Sequence, residues 1–221
     1  AGLFINSAET GTFWVDDASL THSVSPAAPP ESLSPPGTPI PRSYFGLHPQ
    51  HQFEPPLLPW PGIDFGTARS HDSAPFWANI EPNAPVAQPG GVLLRTFDWT
   101  NLDAFVDNAQ SRGIRIIYTF YQTPSWAATT TAPDPYGADG GNSMPSDIAY
   151  YAGFASAVAN RYRGRIAAYE VWNEPDIGYW QGTPEEYFQL YDYAADAVKR
   201  ALPAIRIGGP VIELNIETCA Y

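Results

Sequence analysis

Short apolar runs alternate along most of the chain with segments whose apolar residues recur at helical spacing. Such alternation is typical of βα units, in which parallel strands are joined by crossover helices. We therefore expect an α/β fold with a parallel sheet. The predicted strands are Ser43–His48, Phe65–Ser70, Ile114–Tyr121, Ala167–Trp172 and Ile205–Val211.

Three helices with recognisable start signals separate the later strands. Thr100 and Asp103 can form a capping box at the start of the first helix, and Gly113 can close it. Ser146 can cap the second helix, and Thr183, which a proline and two glutamates follow, is a strong start for the third. We expect the apolar stripes of these helices to pack in a core rather than to bind a cofactor.

The first 42 residues differ in composition from the rest. Residues 1–22 contain one strand-like segment and are interpreted as the remnant of a β-rich module. Residues 23–42 are interpreted as a semi-rigid linker because seven prolines lie between Pro26 and Pro41. The βα region then occupies residues 43–221.

Composition excludes several classes of protein. The chain has 221 residues, 44% of them hydrophobic, which is enough to bury a sizeable core. Its 23 acidic and 11 basic side chains give a net charge of −12, which disfavours a nucleic-acid partner. No apolar run approaches the roughly 20 residues of a membrane span, and Cys219 is the only cysteine. We expect no membrane partner, no metal site and no cofactor.

The most informative segment runs from Tyr169 to Asp176 and reads YEVWNEPD. Strand alternation would place Glu170, Trp172 and Glu174 on one face. The following proline disfavours continuation of the sheet, so Glu174 is expected at the carboxyl end of the strand. Catalytic residues of α/β barrels lie at such strand ends.

This motif resembles the acid/base motif of the clan of retaining TIM-barrel glycosidases. The resemblance is nearest to the family that holds β-xylosidases, α-L-iduronidases and some bacterial endoglycosidases. It implies a (β/α)8 TIM barrel, of which this chain would supply the first about five βα units. Four further segments match the strands and loops of that clan: Tyr44–His48, Gly66–Asp72, Phe76–Pro82 and Tyr118–Trp126.

The resemblance also implies roles for individual residues. Glu174 would be the general acid/base, Asn173 would position the 2-hydroxyl of the sugar, and Arg69 would keep the nucleophile ionised. Arg69 could equally neutralise Glu170 inside the barrel, and both interpretations stay open. The implied activity is hydrolysis of O-glycosidic bonds in a polysaccharide or oligosaccharide with retention of configuration, outside the cell.

His48 and His71 are predicted to contact the substrate. Together with His51 and Asp72 they could instead ligate a metal ion, but they come from two separate segments without tight ligand spacing, which favours the substrate interpretation.

Trp126 and Trp180 are predicted to stack on sugar rings, since they lie in or near loops at strand ends. A noncatalytic carbohydrate-binding protein is the rival function, and a second carboxylate within reach of Glu174 would distinguish the two. In the clan, the nucleophile is a glutamate that ends the seventh strand. We expect that residue beyond position 221, and hence an inactive chain as given.

Overall fold

The computed structural model of the chain describes residues 37, 39–52, 58–134 and 139–212. The chain divides into two units after Pro39, and the fold below is that of the second unit. The predicted module at residues 1–22 and most of the predicted linker at 23–42 lie outside the described residues. In the part of the chain that is described, no helix has both the length and the apolar character needed to cross a bilayer.

Among the residues that the structure describes, five parallel strands form the main sheet, and two further strands pair in a separate antiparallel hairpin. All five predicted strands are present, each shorter than predicted and inside its predicted range. The hairpin was not predicted. The strands are β1 (Gly46–Leu47), β2 (Thr67–Arg69), β3 (Val86–Ala87), β4 (Leu93–Leu94), β5 (Arg115–Phe120), β6 (Ala168–Val171) and β7 (Arg206–Gly208). The order in the main sheet is β1-β2-β5-β6-β7, and β3 pairs with β4 in the hairpin.

Helices alternate with the later strands of the sheet. A 3-10 turn at Arg42–Tyr44 precedes β1, and the α-helices are α1 (Trp77–Ile80), α2 (Thr100–Ser111), α3 (Ile148–Arg161) and α4 (Pro184–Ala201). α2 leads into β5, α3 into β6 and α4 into β7. This is the α/β architecture that the sequence predicts.

The helix ends test the predicted start signals. At α4 the prediction is confirmed, because Thr183 and Glu186 form a capping box. At α2 it is wrong: no side chain caps the helix at its N-cap residue Trp99, and Asp98 instead accepts a hydrogen bond from the Thr100 amide. Asp103 is unavailable to a capping box because it accepts hydrogen bonds from Arg161.

The start of α3 and the end of α2 were also predicted from sequence. Asp147 rather than Ser146 caps α3, by accepting a hydrogen bond from the Ala149 amide. The carboxylate of aspartate is as effective a cap as a serine hydroxyl, so adjacent candidates are hard to separate from sequence. Gly113 follows α2 with φ +64°, as expected of a glycine that ends a helix.

The two faces of the sheet differ in chemistry. Tyr118 pairs with Tyr169 and Phe120 with Val171, and these buried side chains belong to the core between sheet and helices. On the opposite face Thr119 pairs with Glu170. Because side chains alternate along a strand, one face of β6 is apolar while the other carries a carboxylate.

Candidate active site

A continuous chain of hydrogen bonds runs along the polar face of the sheet to the end of β6. Arg69 Nε donates to Glu170 Oε2 at 2.8 Å, and Arg69 Nη2 donates to Asn173 Oδ1 at 2.7 Å. Asn173 Nδ2 in turn donates to Glu174 Oε2 at 2.9 Å. Thr119 Oγ1 adds a 2.7 Å hydrogen bond to Glu170 Oε2. The network therefore connects Glu170, on the polar face of the sheet, to the carboxylate of Glu174 beyond the carboxyl end of β6.

Backbone geometry directs the end of this network. Trp172 and Glu174 have φ values of +70° and +41°, in the left-handed region that non-glycine residues rarely adopt. The Glu174 amide donates to the Val211 carbonyl at 2.8 Å, which anchors the segment beyond β6 to the segment beyond β7. Such conformations persist only where the surrounding structure enforces them, and they occur often at functional sites.

The prediction that Trp172 shares a face with Glu170 and Glu174 is wrong. Regular strand geometry ends at Val171, and the left-handed φ of Trp172 breaks the two-residue alternation. The Trp172 ring is fully buried and contacts Tyr151 of α3, on the helix side of the sheet. Glu170 and Asn173 consequently meet the same arginine.

Arg69 pairs with Glu170, which was one of its two predicted partners. The side chains are 17% and 11% exposed, so both charges are largely removed from water. Arg69 Nε meets a carboxylate and Nη2 meets an amide oxygen, so one guanidinium holds both Glu170 and Asn173. The position of Arg69 beside Asn173 is compatible with both predicted roles.

His48 and His71 come together at the ends of β1 and β2. His48 Nε2 lies within hydrogen-bond distance of the His71 carbonyl oxygen. Asp72 Oδ2 lies 3.7 Å from His48 Nε2, and Asp72 Oδ1 lies 3.3 Å from His71 Nδ1. Burial lowers the pKa of His48 below its usual value, because the charged imidazolium loses hydration. His51 lies outside this cluster.

The two predicted stacking tryptophans differ in accessibility. Trp126 is partly buried, and its indole N–H donates to the Glu81 carbonyl oxygen at 2.8 Å. Trp180 is only 8% exposed and packs edge-on against Trp172. Trp180 lines a cleft of about 210 Å³ together with Pro175, the residue that follows Glu174. That cleft is lined by Pro175, Asp176, Trp180, Gly182, Pro184, Tyr187 and Phe188.

One buried ion pair near the site was not predicted. Glu81 is fully buried, accepts hydrogen bonds from both Nε and Nη2 of Arg95, and accepts another from Trp77 Nε1 at 2.7 Å. Its carbonyl oxygen also holds Trp126. The glutamate directly after α1 could have suggested a buried carboxylate, but nothing in the sequence spacing links it to Arg95.

A second buried polar pair follows β5 and was also missed. Gln122, with φ +63°, donates through Nε2 to Asp134 Oδ2 at 2.7 Å. Both side chains are buried, in loops on the same side of the sheet as Glu174. Twelve residues separate them, so only the fold brings them together.

Comparisons with known proteins agree with this geometry. Residues 87–217 match the family model of glycosyl hydrolases family 39. A β-xylosidase from Caldicellulosiruptor saccharolyticus is 28% identical over 149 residues, which are 63% of this chain and 30% of that protein. A β-xylosidase from Geobacillus stearothermophilus is 30% identical over 131 residues, which are 55% of this chain and 26% of that protein. The chain thus spans about a third or less of the length of these relatives.

Solved structures show the same relationship. A GH39 β-xylosidase from Caulobacter crescentus superposes with a TM-score of 0.51 at 27% identity, covering 67% of this chain and 33% of that one. The GH39 enzyme from Xanthomonas axonopodis pv. citri superposes with a TM-score of 0.52 at 28% identity, covering 67% and 29%. The described sheet and helices correspond to part of a TIM-barrel glycosidase, as predicted. With more than half of its residues matched by the family model, the chain belongs to glycosyl hydrolase family 39.

Proposed function

We propose that this glycoside hydrolase cleaves O-glycosidic bonds by a retaining double displacement in which Glu174 is the general acid/base. The hydrogen-bonded series from Glu170 through Arg69 and Asn173 to Glu174 is the observation that carries the proposal. A polysaccharide or oligosaccharide outside the cell is the proposed substrate, since the relatives in this family include proteins described as β-xylosidases.

Asn173 orients Glu174 in this proposal. Arg69 is only a donor, so the oxygen of the Asn173 amide must face Arg69 and its NH2 group must face Glu174. Hydrogen bonding thereby determines which side of the amide meets the site. Asn173 can then donate either to Glu174 or to a hydroxyl of a bound sugar.

The chemistry needs two carboxyl groups. In the first step Glu174 gives its proton to the leaving oxygen while a second carboxylate attacks the anomeric carbon and the glycosidic bond breaks. In the second step Glu174 takes a proton from water, whose oxygen attacks the anomeric carbon and displaces the carboxylate. The two groups of a retaining pair lie about 5 Å apart. Glu170 is a poor nucleophile because Arg69 and Thr119 both donate to its Oε2. We assign the nucleophile to a position outside the five described strands.

His48, Trp126 and Trp180 form the proposed substrate wall, and His71, whose ring is only 2% exposed, packs against His48. The two histidines follow β1 and β2, and the two tryptophans lie in loops that follow β5 and β6, so all four are on the side where strands end. The aromatic face of a tryptophan suits the apolar face of a sugar ring. Trp126 is the better stacking candidate because Trp180 is almost fully buried.

The test is Glu174→Gln in the complete protein that carries this chain. Glutamine keeps the shape and the hydrogen bond from Asn173 but cannot donate a carboxyl proton. We expect turnover of an unactivated glycan to fall at least about 100-fold, with sugar binding retained. An aryl glycoside with a reactive leaving group should lose less in the glycosylation step. Glu185→Gln, at an exposed position in α4, is the matched control.

The same experiment separates the rival function. If Glu174→Gln turns over natural glycans at the wild-type rate, Glu174 is not the acid/base. If wild type and variant bind glycan equally and neither cleaves it, the chain is a carbohydrate-binding protein instead.

A further inference from the structure

Three side chains capable of binding a metal ion converge where β1 and β2 end. His48, His71 and Asp72 each offer one ligand atom, and these atoms all lie within 4.8 Å of one another. The carboxylate lies near both imidazoles, with Oδ2 at 3.7 Å from His48 Nε2 and Oδ1 at 3.3 Å from His71 Nδ1. Two imidazoles and one carboxylate are a donor set that suits zinc and similar transition metals.

The spacing suits a tetrahedral ion. Zinc lies about 2.0–2.2 Å from imidazole nitrogen and carboxylate oxygen, so neighbouring ligand atoms are separated by roughly 3.3–3.5 Å. The 3.3 Å separation between Asp72 Oδ1 and His71 Nδ1 lies in that range. His48 Nε2 lies 3.7 Å from the other oxygen, Oδ2, so His48 or the carboxylate must rotate slightly for all three residues to meet one ion. We propose that His48, His71 and Asp72 bind a divalent transition-metal ion of the zinc class, with its fourth position open to water.

The surrounding structure holds two of the ligands in place. The His71 ring is 2% exposed and is packed against the rings of Phe76 and Tyr121, with centroid distances of 5.4 and 5.1 Å. Asp72 has φ +59°, which turns the chain sharply after β2. A site whose ligands are already oriented loses less conformational entropy when the ion binds.

His48 completes the site by a small exchange. Its Nε2 now lies within hydrogen-bond distance of the His71 carbonyl oxygen, so binding replaces this hydrogen bond by a coordination bond. The imidazole proton then resides on Nδ1, the tautomer in which Nε2 presents a lone pair. The His48 side chain is 33% exposed, which leaves it room to turn and leaves the ion a path of entry.

The site overlaps the proposed substrate wall. His48, the more exposed of the two histidines, cannot hold the metal ion through Nε2 and contact a sugar through the same atom. Resting on the proposed function, this overlap makes zinc a competitive inhibitor of glycan cleavage.

Calorimetric titration of the purified protein with ZnCl2 tests the site without any need for catalysis. We expect saturable binding of one ion at this cluster. His48→Gln and Asp72→Asn should each weaken that binding at least about tenfold, because each removes one of three protein ligands. Asparagine tolerates the left-handed backbone at position 72, so this variant changes the ligand and not the turn.

His51→Gln is the matched control, since it removes a nearby exposed imidazole outside the cluster. Its zinc affinity should equal that of the wild type. Unchanged thermal midpoints would show that the variants fold. Absence of saturable binding up to about 1 mM zinc, or equal affinity in all variants, would overturn the proposal. Zinc binding without inhibition would refute only the overlap with the sugar site. A zinc-free protein that cleaves no glycan would instead count against the proposed function.

Discussion

Two buried arginine–glutamate pairs lie on the side of the sheet where strands end, and they use the same groups differently. Arg95 directs both Nε and Nη2 to Glu81, and Trp77 adds a neutral donor at 2.7 Å. Arg69 directs only Nε to Glu170, where a threonine hydroxyl is the neutral donor, also at 2.7 Å. The second terminal nitrogen of Arg69 goes to Asn173 instead.

The contrast separates a closed ion pair from one that extends into the site. Glu81 is fully excluded from water and, through its backbone, holds Trp126. Glu170 remains 11% exposed, and its arginine also fixes the amide that meets Glu174. Removing one partner should therefore affect mainly folding in the first pair, and folding and chemistry together in the second.

Arg95→Met should have the largest effect on stability. It leaves the Glu81 carboxylate fully buried with only Trp77 as donor, and breaking such a pair destabilises a protein by about 3–5 kcal/mol. Denaturant unfolding of wild type and variant measures the difference. Glu81→Leu combined with Arg95→Met should recover part of the loss, since no charge is then stranded. A loss below about 1 kcal/mol would contradict the assignment of a closed pair.

Arg69→Met should cost less stability, about 3 kcal/mol, because Glu170 keeps some contact with water and its bond from Thr119. Turnover should fall further than stability explains, since Asn173 loses the donor that orients it. The double variant Arg69→Met with Glu170→Met is the informative comparison. Recovered stability without recovered turnover supports the positioning role, whereas recovery of both would assign Arg69 to folding alone.

Thr119→Val tests the hydroxyl that donates to Glu170 in the Arg69–Glu170 pair. The change removes a hydrogen bond to a charged carboxylate without altering side-chain shape, and should destabilise by about 1.5–2 kcal/mol. Thr123→Val is a matched control, because that buried hydroxyl donates to the uncharged Ser143 carbonyl oxygen at 2.7 Å. We expect about 1 kcal/mol for the control. Equal losses would contradict an added contribution from the carboxylate acceptor.

A surface pair should show the smallest effect. Arg161 and Tyr162 donate to Asp103 between α3 and α2. The hydrogen bond from Arg161 lowers the pKa of Asp103, so the pair stabilises the fold above the ordinary aspartate pKa, and the contribution disappears as pH falls through the lowered value. Asp103→Asn should cost only about 0.5 kcal/mol at pH 7, because solvent screens the pair, and the cost should shrink as pH falls below the ordinary aspartate pKa. A variant penalty that does not change with pH would point to packing rather than charge.

These contrasts also show what the sequence could predict. Strand positions were predictable because apolar runs and turn residues are local signals, and the Asn-Glu-Pro motif indicated the end of β6. The capping box of α4 was predictable because proline at the next position excludes competing starts. At α2 two acidic residues compete for the helix start, and tertiary contact with Arg161 decides where Asp103 points.

Long-range partners were beyond local signals. Arg69 and Glu170 are 101 residues apart, and only parallel pairing through β5 brings them together. His48 and His71 were recognised separately, but their proximity follows from the alignment of β1 and β2. The turn at Trp172 was missed because nothing in its side chain indicates a left-handed backbone.

The order of the strands has a consequence for how the protein assembles. In the sheet β1-β2-β5-β6-β7 the strands lie side by side in the same order in which they occur along the chain. Each new strand of this sheet therefore pairs with the sheet strand that was synthesised just before it. Each unit can therefore dock on its predecessor as the ribosome releases it, without waiting for a distant partner. The same order leaves one growing edge unpaired at every stage of synthesis, and that edge can pair with another nascent chain. Synthesis rate, and not only final stability, should thus influence the yield of folded protein.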